Sequence, residues 1–141
     1  MTNMTSTRLA AAIGIALVAM ACSGVTDPSK NSTETFTGSV QPNNFGPVHQ
    51  FTITNSGELT VAVTSIVPGS TFLGVEYGQL VGNGCGVLQQ NAVSSANLGK
   101  TVITAQLTNK GTYCVQAFDP VSLGLSGLVV GQNYTMTVSH P

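Results

Sequence analysis

Charged side chains are scarce in this chain. Lys and Arg number four and Asp and Glu five, which makes 6% of the 141 residues. Four basic residues cannot form the positive surface that neutralises nucleic-acid phosphates, so the composition argues against nucleic-acid binding. Charge-driven disorder is also disfavoured, because disordered chains combine high net charge with few apolar residues, whereas here the net charge is −1 and 42% of residues are hydrophobic. The length fits one domain with an export segment.

The sequence has no apolar run long enough for a membrane span. Its longest is LAAAIGIALVAMA at 9–21, whereas a spanning helix needs about 20 residues. The run follows Arg8, the first charged residue, and ends in small residues before Cys22. A basic start, a short apolar stretch and a small-residue exit are typical of a secretory signal peptide. Residues 1–21 are therefore predicted to be a signal peptide.

Two interpretations of the cleavage point remain open. The residues at 19–21, Ala-Met-Ala, fit ordinary signal cleavage, and together with Cys22 they resemble a bacterial lipobox, although Ala19 stands where leucine is favoured. The three cysteines favour lipidation, because Cys85 and Cys114 can form a disulfide within the domain and leave Cys22 over. We therefore predict a lipid on Cys22, with ordinary secretion as the alternative.

The predicted anchor divides the chain into three parts. After the signal peptide, residues 22–33 would carry the lipid and form a flexible tether, and residues 34–141 would form the folded domain. Ser23 follows the cysteine, as in lipoproteins sent to the outer membrane. We expect a membrane-anchored protein of the outer membrane or cell surface rather than the inner membrane.

The folded part has the sequence pattern of β-strands. Apolar and polar residues alternate with a period of two in ELTVAVTSI at 58–66 and in QNYTMTVSH at 132–140, and five other segments behave similarly. Clusters of Gly, Asn, Pro and Ser separate them, and TNSG at 54–57 and TNKG at 108–111 resemble hairpin turns. The pattern predicts an all-β, antiparallel sandwich of the jelly-roll or immunoglobulin-like kind, with about seven or eight strands.

Four segments resemble one bacterial family. FTGSV at 36–40, HQFTITNSGELTVAVTS at 49–65, GTYCVQAF at 111–118 and YTMTVSHP at 134–141 are similar to the pre-peptidase C-terminal type of β-sandwich, in the form of a small exported lipoprotein. The resemblance implies a non-catalytic, accessory sandwich. Collagen-binding relatives hold calcium through clustered acidic residues, and this sequence has no such cluster.

Catalytic and metal-binding patterns are missing. The five acidic residues are widely spaced, and no Gly-x-Ser-x-Gly elbow occurs, the nearest fragment being GLSG at 124–127. His49 and His140 share faces with apolar residues at strand ends, which predicts histidines at the rim of the core. The sequence predicts a non-enzyme with no catalytic residues, no cofactor and no metal.

Two segments are candidates for binding. Residues 119–130 carry several large aliphatics among Gly and Ser, and an exposed apolar patch there would suit a partner, with Leu123, Leu125, Leu128 and Val129 as contacts. The alternative is a connection folded over the end of the sandwich. A neutral sugar-binding face is the second candidate, formed by Tyr77, Gln79, Gln89, Gln90 and Asn91.

Together these features predict a function in binding or structure. The leading hypothesis is a lipid-anchored, non-enzymatic β-sandwich of the cell envelope whose ligand is an envelope protein or polysaccharide. The alternatives are a soluble secreted module that binds carbohydrate or matrix, and a small envelope hydrolase with an unrecognised site.

Overall fold

A computed structural model of the chain describes residues 28–69 and 72–141. The strands in this part are β1 Ser32–Val40, β2 His49–Ile53, β3 Gly57–Val67, β4 Leu73–Val81, β5 Gly84–Val93, β6 Thr101–Leu107, β7 Gly111–Phe118 and β8 Gln132–His140. Short 3-10 helices occupy Pro28–Lys30, Ser95–Asn97 and Pro120–Leu123. None of the described helices has the length and apolar character to cross a membrane. The first strand begins two residues before the predicted domain start at Glu34.

The eight strands form two antiparallel four-stranded sheets. Sheet A has the order β1-β8-β3-β6 and sheet B the order β2-β7-β4-β5. The first strand therefore pairs with the last, the second with the seventh, the third with the sixth and the fourth with the fifth. This nested pairing is a long two-stranded ribbon folded over on itself, which is the topology of a jelly roll. The predicted all-β antiparallel sandwich is confirmed.

Neither of the two turns that were predicted to form hairpins does so. Residues 54–57 join β2 of sheet B to β3 of sheet A, and residues 108–111 join β6 of sheet A to β7 of sheet B. Both turns therefore carry the chain from one sheet to the other. Asn- and Gly-rich turns occur in such crossings as well as in hairpins, which is why the sequence pattern did not distinguish the two. A tight hairpin does join β4 to β5 through Gly82 and Asn83, where Gly82 adopts a φ of +61°.

The core lies between the inward faces of the two sheets, where strand alternation holds as predicted. Leu59, Val61 and Val63 of β3 are fully buried, and β8 contributes Tyr134, Met136 and Val138. Each fully buried aliphatic side chain contributes about 1.5–3 kcal/mol to stability by leaving water. Tyr77 of β4 also faces the core and is buried. Tyr77 is therefore unavailable to the predicted sugar-binding face, whereas the other four residues of that prediction are exposed, namely Gln79, Gln89, Gln90 and Asn91.

Candidate functional site

The outer face of sheet B carries a buried carboxylate. Glu76 lies near the middle of β4, between the core residues Val75 and Tyr77, so its side chain points away from the core. It is nevertheless only 3% exposed. Its register partners on either side are Gln90 of β5 and Gln116 of β7. A single acidic group is thus set between two amides in the sheet.

Two glycines on the same face of β4 explain why Glu76 is buried. Gly74 lies directly under the ring of Phe118, whose carbon Cε2 would be 2.6 Å from a Cβ at this position. Gly78 lies against the backbone of Gly86, so closely that a Cβ would overlap the Gly86 carbonyl. Glycine inside a strand often marks such a close approach. The Phe118 ring covers Gly74 and the Gly86 backbone covers Gly78, so the Glu76 side chain is flanked on both sides along its strand.

The disulfide closes one end of this arrangement. Cys114, the register partner of Gly78, is bonded to Cys85 in β5. The bond joins the two strands that flank β4, and the Cα atoms of the two cysteines are 5.7 Å apart. Strands two places apart in a flat sheet are roughly 9.5 Å apart, so sheet B curls sharply here. A shift in the β4–β5 register between Tyr77 and Gly78 accompanies the curl.

These elements enclose a shallow groove of about 590 Å³ with Glu76 at its floor. Its walls include the apolar side chains of Phe45, Val48 and Val87. The Phe45 side chain is 62% exposed and presents an aromatic ring beside the opening. The groove is lined by Phe45, Val48, Glu76, Asn83, Gly84, Cys85, Val87, Gln90, Gln116 and Ser122. We refer to it below as the Glu76 groove.

One wall of the groove, the segment 41–48, is fixed to β7. The Gln116 Nε2 donates a hydrogen bond to the Gly46 carbonyl at 2.6 Å, and the Gly46 amide donates to the Ala117 carbonyl at 2.8 Å. The rings of Phe45 and Phe118 stack with centroids 5.7 Å apart. These contacts hold the wall in place without a ligand. The bond to Gly46 also fixes the Gln116 amide, since a carbonyl only accepts, and leaves its Oε1 as an acceptor.

Burial raises the pKa of the Glu76 carboxyl group. Within residues 28–69 and 72–141, no hydrogen bond or ion pair to this carboxylate is found, and the ion pair there joins His140 to Glu34. The desolvation of Glu76 is therefore not offset by a partner from its own chain. Among the described residues no fully buried side-chain oxygen or nitrogen lacks a hydrogen-bond partner, so the Glu76 carboxylate oxygens reach the solvent of the groove, where a ligand group can replace water.

The groove combines a single carboxylate with amide groups and apolar side chains. No histidine is among its lining residues, and within the described part of the chain no hydrogen bond joins the Ser122 hydroxyl to the Glu76 carboxylate. In the described part of the chain no group of three or more His, Cys, Asp or Glu side chains comes together as a metal site requires. What the groove offers is one negative charge, amide groups and an apolar wall.

The two histidines occupy the rim of the sandwich. His49 Nε2 lies 2.9 Å from the Tyr134 hydroxyl, and the His49 ring stacks on Phe36 with centroids 4.9 Å apart. His140 Nε2 lies 2.9 Å from Glu34 Oε1. Burial lowers the pKa of His49 and raises that of Tyr134 to about 12. Both histidines therefore join strands at the rim, where the sequence pattern placed them.

The structure separates the apolar residues predicted to bind a partner at 119–130. Val129 is 92% exposed, while Leu123 and Leu125 are half-buried. Leu128 is 6% exposed and belongs to the core, so its prediction as a contact residue is wrong. Its amide donates to Asp119 Oδ1 at 3.2 Å, which draws the segment over the end of the sandwich.

The cysteine predictions have different outcomes. The Cys85–Cys114 disulfide is confirmed. Cys85 is the second residue of strand β5. The signal peptide, Cys22 and the rest of the tether up to residue 27 lie outside the described residues, so lipidation stays a prediction.

Sequence reasoning treated Glu76 only as one of five scattered acids. The signal for the groove is the pattern Gly74-Val-Glu76-Tyr-Gly78, in which two glycines flank an acid on one strand face. Glycine in a strand interior marks a close approach by another group. The groups that approach come from β7 and β5, which the pattern does not identify.

Comparison with known proteins defines the class of fold. No family model and no curated protein sequence matches the chain. Among solved structures, PliG of Aeromonas hydrophila, a periplasmic lysozyme inhibitor of g-type lysozyme, is similar, with a TM-score of 0.51 and 15% identity over 84% of this chain and 94% of that one. The Yersinia pseudotuberculosis-derived mitogen has a TM-score of 0.47 and 16% identity over 79% of this chain and 87% of that one. At this identity the likeness to PliG shows a shared fold.

Proposed function

We propose that the protein is a lipid-anchored, non-enzymatic module of the bacterial cell envelope that binds another protein through the Glu76 groove. The observation that carries the proposal is the preformed groove, at whose floor the 3% exposed Glu76 side chain has no hydrogen-bond or ion-pair partner among the described residues and reaches only the groove. A carboxylate without a partner in its own fold suits a site completed by a ligand. Because the chain has only five acidic residues, a carboxylate held in a groove is an unusual feature of it.

Export and anchoring rest on the sequence. The apolar run at 9–21 and Cys22 fit a lipoprotein signal. The Cys85–Cys114 disulfide supports an oxidising compartment, since disulfides are rare in the reducing cytosol. The similarity to the pre-peptidase C-terminal family, which implies an accessory role, is also part of the proposal.

Binding of a protein is favoured over catalysis for two reasons. The groove pairs its carboxylate with amides and apolar side chains and has no nucleophile–base pair. The fold is also shared with PliG, which is described as an inhibitor of a lysozyme. A g-type lysozyme is accordingly the first purified protein to test as a ligand.

Crosslinking in cells tests the proposal. A photoreactive amino acid placed at Val87, a groove wall that is 48% exposed, should give a discrete protein adduct. The same amino acid at Thr35, exposed on β1 of the other sheet, is the matched control. Absence of a Val87 adduct, or an equal adduct at Thr35, would contradict protein binding through this groove.

Fatty-acid labelling tests the anchor in the same cells. The wild-type chain should incorporate the label and stay with membranes through a carbonate wash, because burial of acyl chains is worth about 0.8 kcal/mol per CH₂. Cys22→Ala should lose both the label and the membrane association. Retention of that variant in washed membranes would contradict lipidation.

A further inference from the structure

We infer that the Glu76 groove accepts a basic side chain of a protein partner, arginine in preference to lysine, with Glu76 as its counter-charge. This inference rests on the proposed function and names the chemistry of the partner. Three observations support it: the unpaired carboxylate, the apolar walls beside it and the exposed aromatic ring at the opening.

The first observation concerns charge. Glu76 is 3% exposed, yet no cationic side chain is among the residues that line the groove. Lys100 lies elsewhere, on a surface where its Nζ donates to Asn97 Oδ1 at 3.0 Å. The charge that complements Glu76 is therefore not supplied by the described residues around it. A cation from outside would gain a desolvated counter-ion, and such interactions are stronger than those in open water.

The second observation concerns shape. A basic side chain has an apolar stem of several methylene groups that ends in the charge. Val48 and Val87 line the groove around Glu76 and can cover such a stem, while the carboxylate at the floor meets the charged end. Gln116 leaves its Oε1 as an acceptor, so further N–H groups of the ligand can be satisfied there.

The third observation favours arginine. The exposed ring of Phe45 stands beside the opening of the groove. A guanidinium group is planar, is weakly hydrated and stacks on aromatic faces, whereas an ammonium group is a compact and strongly hydrated charge. Phe45 and Glu76 line the same groove, so an arginine that pairs with the carboxylate has an aromatic side chain among its neighbours.

Other ligands match the groove less well. Calcium needs six to eight oxygen ligands, whereas the lining provides one carboxylate. A neutral sugar gains from hydroxyl and amide partners and has no use for a desolvated charge. The basic side chain alone uses the carboxylate, the amide and the apolar wall together.

The direct test is an NMR titration of the full-length protein carrying ¹³C-labelled glutamate carboxyl groups. The probes are N-acetyl-arginine N-methylamide and its citrulline counterpart, which has nearly the same shape without the charge. We expect the Glu76 resonance to shift saturably with the arginine probe and at least fivefold less with citrulline at equal concentration. Equal shifts with both probes would overturn the inference.

Glu76→Gln provides the matched variant, and Glu58→Gln on strand β3 of sheet A removes the same charge from the opposite sheet. Followed through the methyl resonances of Val48 and Val87, arginine binding should weaken at least fivefold in Glu76→Gln and stay unchanged in Glu58→Gln. Equal weakening in both variants would show a general charge effect and overturn the inference. A melting temperature of Glu76→Gln no lower than that of wild type at the pH of the titration verifies that the variant is folded.

The cell experiment separates this inference from the proposed function. The Val87 crosslink should fall at least fivefold in Glu76→Gln and persist in Glu58→Gln. An adduct that is undiminished in Glu76→Gln would overturn the basic-side-chain inference and leave protein binding in place. A specific arginine titration without any Val87 adduct in cells would support the charge preference of the groove and contradict the proposed function.

Discussion

Gly78 and Gly86 are in direct backbone contact beneath the Cys85–Cys114 disulfide. A Cβ on Gly78 would overlap the carbonyl of Gly86, and the next atom in its way is also backbone. The β4–β5 hairpin and the disulfide can therefore close over this point only if residue 78 has no side chain. The contact links the curl of sheet B to the end of the Glu76 groove.

Gly78→Ala should destabilise the protein by about 2–3 kcal/mol, because the added methyl group forces a shift of rigid backbone. Gly84→Ala is the matched control, since a Cβ there meets only the Val81 carbonyl at an ordinary 3.7 Å. Urea denaturation should place Gly84→Ala close to wild type. Equal midpoints for Gly78→Ala and wild type would contradict the close approach.

Loss of the disulfide should also weaken the domain. Cys85 and Cys114 are separated by 29 residues, and closing such a loop is worth roughly 3–4 kcal/mol in the chain-entropy model. Reductant should therefore lower the denaturation midpoint of wild type. The double variant Cys85→Ala/Cys114→Ala should start near that lowered midpoint and show no response to reductant. A wild-type midpoint that is insensitive to reductant would contradict this prediction.

The strand faces could be predicted from the sequence, but the strand partners could not. Alternation placed Leu59 and Val61 on one face because burial has the same period as the pleat. The turn at 54–57 marks a corner, and turn residues do not show whether the chain stays in its sheet or crosses to the other one. That choice depends on the nested pairing of strands distant in sequence, such as β1 with β8.

The candidate site depends on the same distant pairing. Counting cysteines was enough to predict the bond between Cys85 and Cys114, whereas its position over β4 requires the strand order. Glu76 is buried because Phe118 and Cys114 of β7 lie beside its strand. Nothing within the segment around Glu76 identifies β7 as that neighbour.

Asp119 should hold two loops together at the end of the sandwich. Its carboxyl oxygens accept hydrogen bonds from the backbone N–H groups of Asn43, at 2.6 Å, and of Leu128, at 3.2 Å. Asp119→Ala should destabilise the protein by about 2–3 kcal/mol, since it leaves both amides unpaired. Hydrogen exchange should accelerate at Asn43 and Leu128, with a smaller effect in Asp119→Asn, which keeps one acceptor. Unchanged exchange at both amides would contradict the role of Asp119.

His49 should make the protein less stable in acid. Its folded pKa lies below the ordinary value of 6.5 because burial disfavours the charged ring. The unfolded state therefore binds a proton first, and stability is lost as the pH falls from about 7 through the folded pKa. His49→Gln has no titrating ring, so its free energy of unfolding should fall less than that of wild type over this interval. Parallel pH profiles of the two proteins would contradict the prediction.

Glu76 should have the opposite effect on the pH profile. Burial raises its folded pKa above the ordinary value of 4.5, so the folded state holds the proton to higher pH than the unfolded state. Its contribution to stability is therefore lost as the pH rises through the folded pKa. Glu76→Gln lacks this loss, and we expect it to gain stability relative to wild type between pH 4 and pH 7. Urea denaturation at the two pH values, taken as the difference between variant and wild type, cancels the titration of His49 and other shared groups. A variant that loses stability relative to wild type on going from pH 4 to pH 7 would show that the carboxylate has a stabilising partner within its own chain, and the groove would then be a structural feature rather than an incomplete binding site.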